Sequence, residues 1–466
     1  MNILLIMADE LSTWGVEGCF DTPDTPAVTP HLAALRDRGM DFAAAYTPSP
    51  ICVPTRAAIA TGRYLHEIGY WSSAEAYDGI VSGWGHACQA AGVPVTSIGK
   101  LHYRSQTDPT GFDRQIEPIH IPDGIGWVRA LLRQPMASYD ATAEMAEMIG
   151  AGETDYTAFD RRVTDEACRW LGDAPDTPWC TFVSYLSPHY PLIAPEAYYN
   201  RFDPAGFASG PDPVPDHPVL AEVARFFDHD PYFTDETRGI ARAAYYALCT
   251  FLDDQVGQVL AALDASGQAG ETLVIFTSDH GEMLGRRGFW GKSTMYEDAA
   301  RVPLFVAGSG VAPGRVTSPV SLIDLAPTIS AALGLKAGQY PGRSLLDAPD
   351  ASRTVLSEYH DGGSPVGITM VRWQGPDGVD WKYVHYAQGH PAQLFNLTED
   401  PGETEDLAAK NPDALSEGQR RLAAEMDAEA TDARAHADQA ALVEKLGGRE
   451  ALLAMEQWNF TPADSR

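Results

Sequence analysis

The chain has 466 residues, 44% of them apolar, and a formal net charge of −31. This length favours a large domain with a smaller one beside it, and the composition argues against disorder. The strong negative charge argues against nucleic acid or an anionic membrane surface as a partner. No apolar run is long enough to cross a bilayer, and the run at residues 3–7 is too short for a signal peptide. We therefore expect a soluble, cytoplasmic protein.

Four apolar runs of the chain each end in a polar cluster, which is the pattern of a parallel α/β sheet. The runs and the clusters that follow them are residues 2–7 with Asp9 and Glu10, 93–98 with Lys100 and His102, 179–186 with His189, and 272–277 with Asp279 and His280. Ligands of open α/β sheets bind beyond the carboxyl ends of the strands. We therefore expect these polar residues to share one site.

The remaining pattern predicts two folded units and a tail. Helical segments are predicted at residues 29–38, 85–91, 159–171, 235–263 and 322–333, residues 301–307 continue the α/β alternation, and residues 107–160 form an irregular excursion. We predict a large, mixed, mostly parallel sheet sandwiched by helices for residues 1–350. Short strands at 354–359, 367–373 and 381–386 and a helix at 413–429 predict a small antiparallel sheet plus helix at 351–429. Residues 430–466 are predicted to form a C-terminal arm for oligomerisation or pocket closure.

Cys52 stands just before a predicted helix, with Pro54 in its first turn and Gly62 at its end. A helix N-terminus attracts anions and lowers the pKa of a thiol. The other five cysteines are scattered and fit the pattern of small buried apolar residues. Cys52 is therefore the candidate reactive cysteine.

The polar clusters contain candidates for a metal site and for anion binding. Asp9, Glu10, Asp279 and His280 would supply carboxylate oxygens and one imidazole, which suit Ca²⁺, Mg²⁺ or Mn²⁺ better than a thiolate zinc site would. Only six lysines occur in the chain, and two of them, Lys100 and Lys292, each follow a glycine near these clusters. His102 and His189 are the acid–base candidates because their side chains titrate near neutral pH.

The segment Cys52-Val53-Pro54-Thr55-Arg56, followed by Thr61-Gly62-Arg63, resembles the signature of type I sulfatases and related phosphonate monoester hydrolases of the alkaline phosphatase superfamily. The resemblance spans most of the chain, and residues 278–306 and 381–407 are similar to the choline-sulfatase and phosphonate-hydrolase branch. It implies an alkaline-phosphatase-like fold. Members of that branch build oligomers with C-terminal arms, so the resemblance also implies a homo-oligomer, either a dimer or a tetramer.

The resemblance also implies the chemistry. Cys52 would be oxidised by a formylglycine-generating enzyme, and the hydrate of the formylglycine would attack a small-molecule sulfate monoester to give a covalent sulfo-enzyme. Asp9, Glu10, Asp279, His280 and the modified Cys52 would hold one divalent ion, Ca²⁺ first and Mn²⁺ as the alternative. Arg56 would support the nucleophile, Lys100 and Lys292 would contact the sulfate oxygens, His102 would take the proton that expels sulfate, and His189 would help to protonate the leaving oxygen.

The chain departs from the family pattern at two places, and two other functions stay open. Glu10 replaces the usual Asp or Gln, and Ser72-Ser73 replaces an Asp-Asn pair whose Asn often contacts substrate. A phosphonate monoester or phosphodiester hydrolase would use the same groups, whereas a non-catalytic anion-binding protein would leave Cys52 unmodified. A quaternary ammonium substrate would need an aromatic or acidic pocket. Trp71, Trp127 and Trp458 are candidates for that pocket, although core or interface packing fits each of them as well.

Overall fold

The structure is a computed structural model that describes residues 1–19, 26–139, 141–336, 338–455 and 463. The strands are β1 Asn2–Asp9, β2 Met40–Phe42, β3 Ala45–Tyr46, β4 Val95–Lys100, β5 Arg114–Ile119, β6 Ile149–Ala151, β7 Cys180–Pro188, β8 Leu192–Ala194, β9 Thr272–Ser278, β10 Arg301–Val302, β11 Leu304–Gly308, β12 Gly314–Val316, β13 Val320–Ser321, β14 Thr354–Tyr359, β15 Ile368–Gln374, β16 Asp380–Tyr386 and β17 Gln393–Asn396. The helices are α1 Pro30–Asp37, α2 Cys52–Thr61, α3 Leu65–Ile68, α4 Trp84–Ala90, α5 Glu144–Glu147, α6 Asp155–Gly172, α7 Glu196–Tyr199, α8 Pro218–Phe227, α9 Asp235–Ala265, α10 Glu297–Ala300, α11 Leu325–Ala332, α12 Pro412–Glu425, α13 Ala428–Lys445 and α14 Arg449–Ala454. Within these residues no helix combines the length and the apolarity needed to cross a bilayer.

A mixed sheet of eight strands forms the centre of the described chain, in the order β12-β2-β11-β9-β1-β7-β4-β5. The four strands that precede the polar clusters, β9, β1, β7 and β4, are neighbours and run parallel. Their register pairs Ala8 with Ser278, and it pairs both Met7 and Gly99 with Ser184. The carboxyl ends of all four strands therefore meet at one edge of the sheet, as the sequence predicts.

Both faces of the sheet are covered, because successive side chains of a strand point to opposite faces. On β1, Leu4 and Ile6 belong to the core that the sheet shares with α6 and α9. Ile3 and Leu5 belong to the core shared with α2, α4 and α11. This arrangement confirms the prediction of a sheet sandwiched by helices.

The sequence analysis did not predict three strands of this sheet, β2, β5 and β12. β5, at residues 114–119, lies inside the segment predicted to be irregular and extends the sheet beyond β4. The predicted strand at 301–307 is divided into β10 and β11, and β11 pairs antiparallel with β9. Hydrophobic periodicity does not encode strand direction, so only the structure defines which side of the sheet is mixed.

A separate antiparallel sheet, β14-β15-β16-β17, follows the large domain. Its first three strands match the predicted segments, whereas β17 was not predicted. The predicted helix at 413–429 ends at Glu425, and α13 begins at Ala428. α12 packs on this sheet, where Gly418 approaches the ring of Tyr383 too closely for a side chain. The small C-terminal domain is thereby confirmed.

The beginning of the predicted C-terminal arm is a helix that packs on its own chain. From α13, Asp438 accepts a hydrogen bond from Nε1 of Trp71 at 2.9 Å, and Gln439 donates one to the carbonyl oxygen of His360 at 2.7 Å. Trp458 lies outside the described residues. The domain limits at 350 and 429 and the role of the arm in oligomerisation stay predictions.

Candidate active site

Helix α2 places Cys52 at its first turn. The helix begins at Cys52 itself, after the extended residue Ile51, and it ends at Gly62, whose φ of 66° is left-handed. The thiol is buried, and burial raises its pKa although Lys100 and Lys292 act in the opposite direction. The lowered thiol pKa expected from the sequence is therefore wrong, because the desolvation of a thiolate outweighs the nearby positive charges.

Behind the thiol lies a group of buried side chains with the composition of a cation site. Ligand atoms of Asp9, Asp279 and His280 lie within 4.8 Å of one another. Among them, Oδ1 of Asp9 and Nε2 of His280 are buried and have no hydrogen-bond partner within the described part of the chain. Unpaired buried polar atoms are costly, so these two atoms fit the donor set of a bound cation.

The ring of His280 is oriented for this role by its other nitrogen. Nδ1 lies 3.0 Å from the carbonyl oxygen of Gly281, so in the neutral ring Nδ1 carries the proton and Nε2 keeps its lone pair. Metal-ligating histidines are commonly held in this way through the second nitrogen. The three buried side chains therefore fit a divalent cation.

Arg56 connects this group to all four central strands. Its Nε donates to Asp279 at 2.9 Å, and its Nη2 donates to Asp9 at 3.1 Å. Its Nη1 donates to the carbonyl oxygen of Lys100 at 2.9 Å and to Oγ of Ser184 at 3.0 Å. The side chain is 2% exposed, so the guanidinium positions the site from within the protein.

Glu10 directly follows β1, and its backbone departs from the extended conformation of that strand. Its φ of 65° is left-handed, and its carbonyl oxygen accepts a hydrogen bond from Tyr245 at 2.8 Å. Its carboxylate lies 2.8 Å from Nζ of Lys292 and 3.3 Å from Nε2 of His189. Burial raises the pKa of Glu10 to about 8, against the opposing charge of Lys292. Glu10 groups with Asp9 and His189 as a second possible ligand set, beside the first one.

The two scarce lysines of the sequence prediction both reach the site. Lys100 forms a buried ion pair with Asp9. Burial would raise the pKa of Asp9, but the charges of Lys100 and Arg56 hold it well below its usual value. The charge of Lys100 thus helps to keep the buried carboxylate of Asp9 ionised.

Both candidate histidines are held in the neutral form. Burial and the charge of Lys292 lower the pKa of His189, and burial and the charge of Lys100 lower the pKa of His102. Nδ1 of His189 lies 2.6 Å from the carbonyl oxygen of Tyr190, and its Nε2 lies 2.9 Å from Nζ of Lys292. This arrangement leaves Nε2 as the acceptor nitrogen.

A cavity of about 520 Å³ opens onto these groups. The predicted residues that line it are Glu10, Cys52, Lys100, His102, His189 and Lys292. The sequence analysis did not single out most of the wall, which includes Tyr139, Glu144, Tyr156, Phe227, His229, Trp290 and Tyr359. Three of these residues, Tyr139, His229 and Trp290, lie in loops, and the other four lie at the ends of α5, α6, α8 and β14, where no local sequence pattern marks them.

Two of the three tryptophans considered in the sequence, Trp71 and Trp127, lie in the described part of the chain, at different positions. Trp127 lines the cavity, and its ring lies 5.7 Å from that of Tyr139 and 5.9 Å from that of Phe226. Trp71 is fully buried in the core beside the C-terminal sheet. An aromatic wall is therefore present in the cavity, with Trp127 as part of it.

A comparison with known protein families identifies the family of the chain. The family model described as Sulfatase matches residues 1–335. The chain belongs to the sulfatase family. Sulfatases are sulfuric ester hydrolases, and they generally use a metal ion and a formylglycine.

Individual sulfatases resemble the chain over most of its length. A choline-sulfatase from Rhizobium meliloti (strain 1021) is 31% identical over 94% of this chain and 89% of the relative. Arylsulfatase K from Danio rerio is 29% identical over 91% of this chain and 84% of the relative. The crystal structure of a phosphonate monoester hydrolase of Agrobacterium radiobacter has a TM-score of 0.72 at 24% identity and covers 93% of this chain and 96% of that chain. This structural likeness supports the shared alkaline-phosphatase-like fold.

Proposed function

We propose that this sulfatase hydrolyses sulfate monoesters of small alcohols with a formylglycine derived from Cys52. The observation that carries the proposal is the position of Cys52 in a cavity lined by two lysines and two neutral histidines. The hydrate of a formylglycine supplies a hydroxyl nucleophile and a second hydroxyl from which the aldehyde can re-form. A formylglycine-generating enzyme would be the partner that converts Cys52.

Asp9, Asp279 and His280 would hold the divalent cation, together with Glu10 and the modified Cys52. A bound cation would offset the negative charge of the ester and of the attacking oxygen. Carboxylate oxygens favour Ca²⁺, and an imidazole ligand is equally compatible with Mn²⁺. We therefore propose Ca²⁺ first and Mn²⁺ second.

Four other cavity residues would bind the sulfate group and transfer protons. Lys292 and Lys100 would bind the sulfate oxygens, where compact ammonium groups stabilise charge that develops in the transition state. His189 would protonate the leaving alcohol oxygen, and a bound anion would help its Nε2 to acquire that proton. His102, neutral before the reaction, would accept the proton released when sulfate departs.

Two measurements test this proposal. The protein is co-expressed with a formylglycine-generating enzyme, and mass spectrometry of the Cys52 peptide is combined with sulfate release from an aryl sulfate. We expect conversion of Cys52 and turnover, and we expect neither in Cys52→Ala. An unmodified thiol in protein from its native host would instead support an anion-binding protein without catalytic activity.

A second candidate is the hydrolysis of phosphonate monoesters or phosphodiesters. It is supported by the structural likeness to a phosphonate monoester hydrolase, and by the tetrahedral geometry that sulfate and phosphonate centres share. Parallel kcat/KM values for an aryl sulfate, choline sulfate and a phenyl phosphonate monoester separate the two. A higher value for the phosphonate would favour this second candidate over the sulfatase activity.

A further inference from the structure

One polar group on the cavity wall is held in a fixed hydrogen-bonding role. Ser73 lines the cavity and is partly exposed to it. Both its backbone N–H and its hydroxyl donate to Oδ2 of Asp361, over 2.9 Å and 2.5 Å. The two donors of Ser73 therefore converge on one carboxylate oxygen.

Asp361 is built to act as an acceptor. Its side chain is fully buried, and its other oxygen, Oδ1, accepts the backbone N–H of Gly362 at 2.6 Å. Burial raises the pKa of Asp361, while the hydrogen bonds donated by Ser73 and Gly362 and the charge of Arg133 act in the opposite direction and favour the ionised carboxylate. An ionised carboxylate can only accept hydrogen bonds.

This geometry fixes what Ser73 presents to the cavity. A serine hydroxyl has one hydrogen and two lone pairs. Because the hydrogen is committed to Asp361, the lone pairs of Oγ are what remains for a ligand. Ser73 therefore offers an acceptor and not a donor.

A second wall residue has the same polarity. Nδ1 of His229 donates to the carbonyl oxygen of Thr142 at 2.9 Å, and burial lowers the pKa of the ring. In the neutral ring Nε2 can then only accept. The carboxylates of Asp123 and Glu144 line the same cavity. Ser73, His229 and these two carboxylates thus offer acceptors to the cavity, whereas Lys100 and Lys292 provide its cationic donors.

We propose that Ser73, held by Asp361, is a specificity-determining residue that accepts a hydrogen bond from an O–H or N–H group on the leaving alcohol. The proposal deepens the sulfatase activity proposed above and rests on it. The substrate class would be sulfate esters of alcohols that carry a second hydroxyl or a protonated amine. An alcohol without such a donor would bury the Oγ lone pairs unpaired, and sites built to pair a polar group discriminate against analogues that lack its partner.

Two matched pairs of substrates isolate the donor. In the neutral pair, the sulfate monoester of ethylene glycol has a free hydroxyl, and the sulfate of 2-methoxyethanol has that hydroxyl methylated. In the cationic pair, the sulfate of protonated 2-(dimethylamino)ethanol has an N–H, and choline sulfate has a methyl group in its place. Each pair keeps the reacting centre and the charge constant, so its kcat/KM ratio reports the donor alone.

The test compares the converted wild-type enzyme with Ser73→Ala and with Ser73→Thr, which keeps a hydroxyl. In the wild type we expect the donor-bearing member of at least one pair to have the higher kcat/KM, by about tenfold for one hydrogen bond. We expect Ser73→Ala to remove that preference by slowing the donor-bearing member, and Ser73→Thr to retain it. A preference in only one pair would tell whether the donor is a hydroxyl or an ammonium.

Three results would overturn the proposal. Equal kcat/KM ratios in the wild type and Ser73→Ala would show that Ser73 does not recognise the O–H or N–H group of the substrate. An equal loss on all four substrates would indicate a structural role, and a selective loss on the methylated esters would mean that the hydroxyl acts as a donor. Failure of the converted wild type to hydrolyse any of the four sulfates would instead overturn the sulfatase activity itself, and the substrate class with it.

Discussion

Arg56 donates a 2.9 Å hydrogen bond from Nε to Oδ2 of Asp279, and both side chains are buried. The other guanidinium donors are shared among Asp9, the Lys100 carbonyl and Ser184. This leaves Oδ2 of Asp279 engaged by the arginine, while Oδ1 accepts backbone N–H groups. A rigid guanidinium fork presents five N–H donors on three nitrogens and reaches acceptors that lie apart, whereas the three donors of a lysine ammonium all come from one nitrogen.

Replacing Arg56 by lysine should therefore weaken the cation site more than it weakens the fold. We expect the Kd for Ca²⁺, measured by calorimetry, to rise by about 10–100-fold, the usual effect of losing a group that orients metal ligands. Arg63→Lys is the matched control, since Arg63 lies just beyond the same helix and pairs with Glu67 on the surface. Unchanged affinity in Arg56→Lys would contradict the positioning role.

Cation binding should stabilise the folded protein, because Oδ1 of Asp9 and Nε2 of His280 are buried without hydrogen bonds in the described part of the chain. We expect removal of divalent ions with EDTA to lower the Tm, and Ca²⁺ at 100 times its Kd to restore about 2.7 kcal/mol of stability. Asp279→Asn should abolish that response. Asp254→Asn is the control, because Asp254 belongs to a partly exposed group with His31 and Asp253 that also resembles a metal site. If only Asp254→Asn lost the response to Ca²⁺, the cation site would be assigned to the group of His31, Asp253 and Asp254 instead.

Lys292→Met should lower kcat/KM for sulfate esters by about 10²–10³-fold, which is typical for the loss of one group that stabilises transition-state charge. The ammonium lies in the cavity between Glu10 and His189, so the change also removes the charge that opposes protonation of Glu10. Lys410→Met, a change at an exposed lysine, is the control. Activity of Lys292→Met within threefold of the wild type would contradict a role in binding the sulfate.

The sequence predicts the residues of this site that follow the central strands, but few of the other residues that line its cavity. Continuous apolar runs reveal the buried strands, and the residues after their ends meet because parallel strands share an edge. The pairing of Glu10 with Lys292 joins residues 282 positions apart, which no local pattern encodes. Tyr139 and His229 come from loops without periodicity. The pKa of Cys52 was predicted in the wrong direction because burial is a property of the tertiary structure.

The pH dependence of turnover should report the environment of His102. Burial, together with the charges of Lys100 and Arg56, holds its pKa well below the ordinary value of 6.5. If neutral His102 accepts the proton that releases sulfate, and this release limits kcat, then kcat should be constant from pH 6.5 to about 8 and should fall only at lower pH. His102→Asn should lower kcat across the whole range. An acidic limb with an apparent pKa above 6.5 in the wild type would contradict this assignment.

Acid stability should depend on Glu358, a buried carboxylate at the end of β14. Burial would raise its pKa, but hydrogen bonding with His360 and His66 lowers the pKa from 4.5 to about 2. Because the folded pKa lies below the unfolded one, this stabilisation is complete above pH 4.5 and is lost as the pH falls toward 2. A shift of this size corresponds to about 3 kcal/mol.

Glu358→Gln should therefore lower the free energy of unfolding at pH 7 by an amount of that order and flatten its decline between pH 4.5 and 2, as measured by denaturant titrations. Glu417→Gln is a matched control, because the pKa of Glu417 is also about 2 through hydrogen bonds from Arg420 and Arg421. That carboxylate is one-third exposed, so solvent screening should limit the loss to less than about 1 kcal/mol. Equal losses in the two variants would mean that the buried pairing with His66 contributes no more than a surface ion pair.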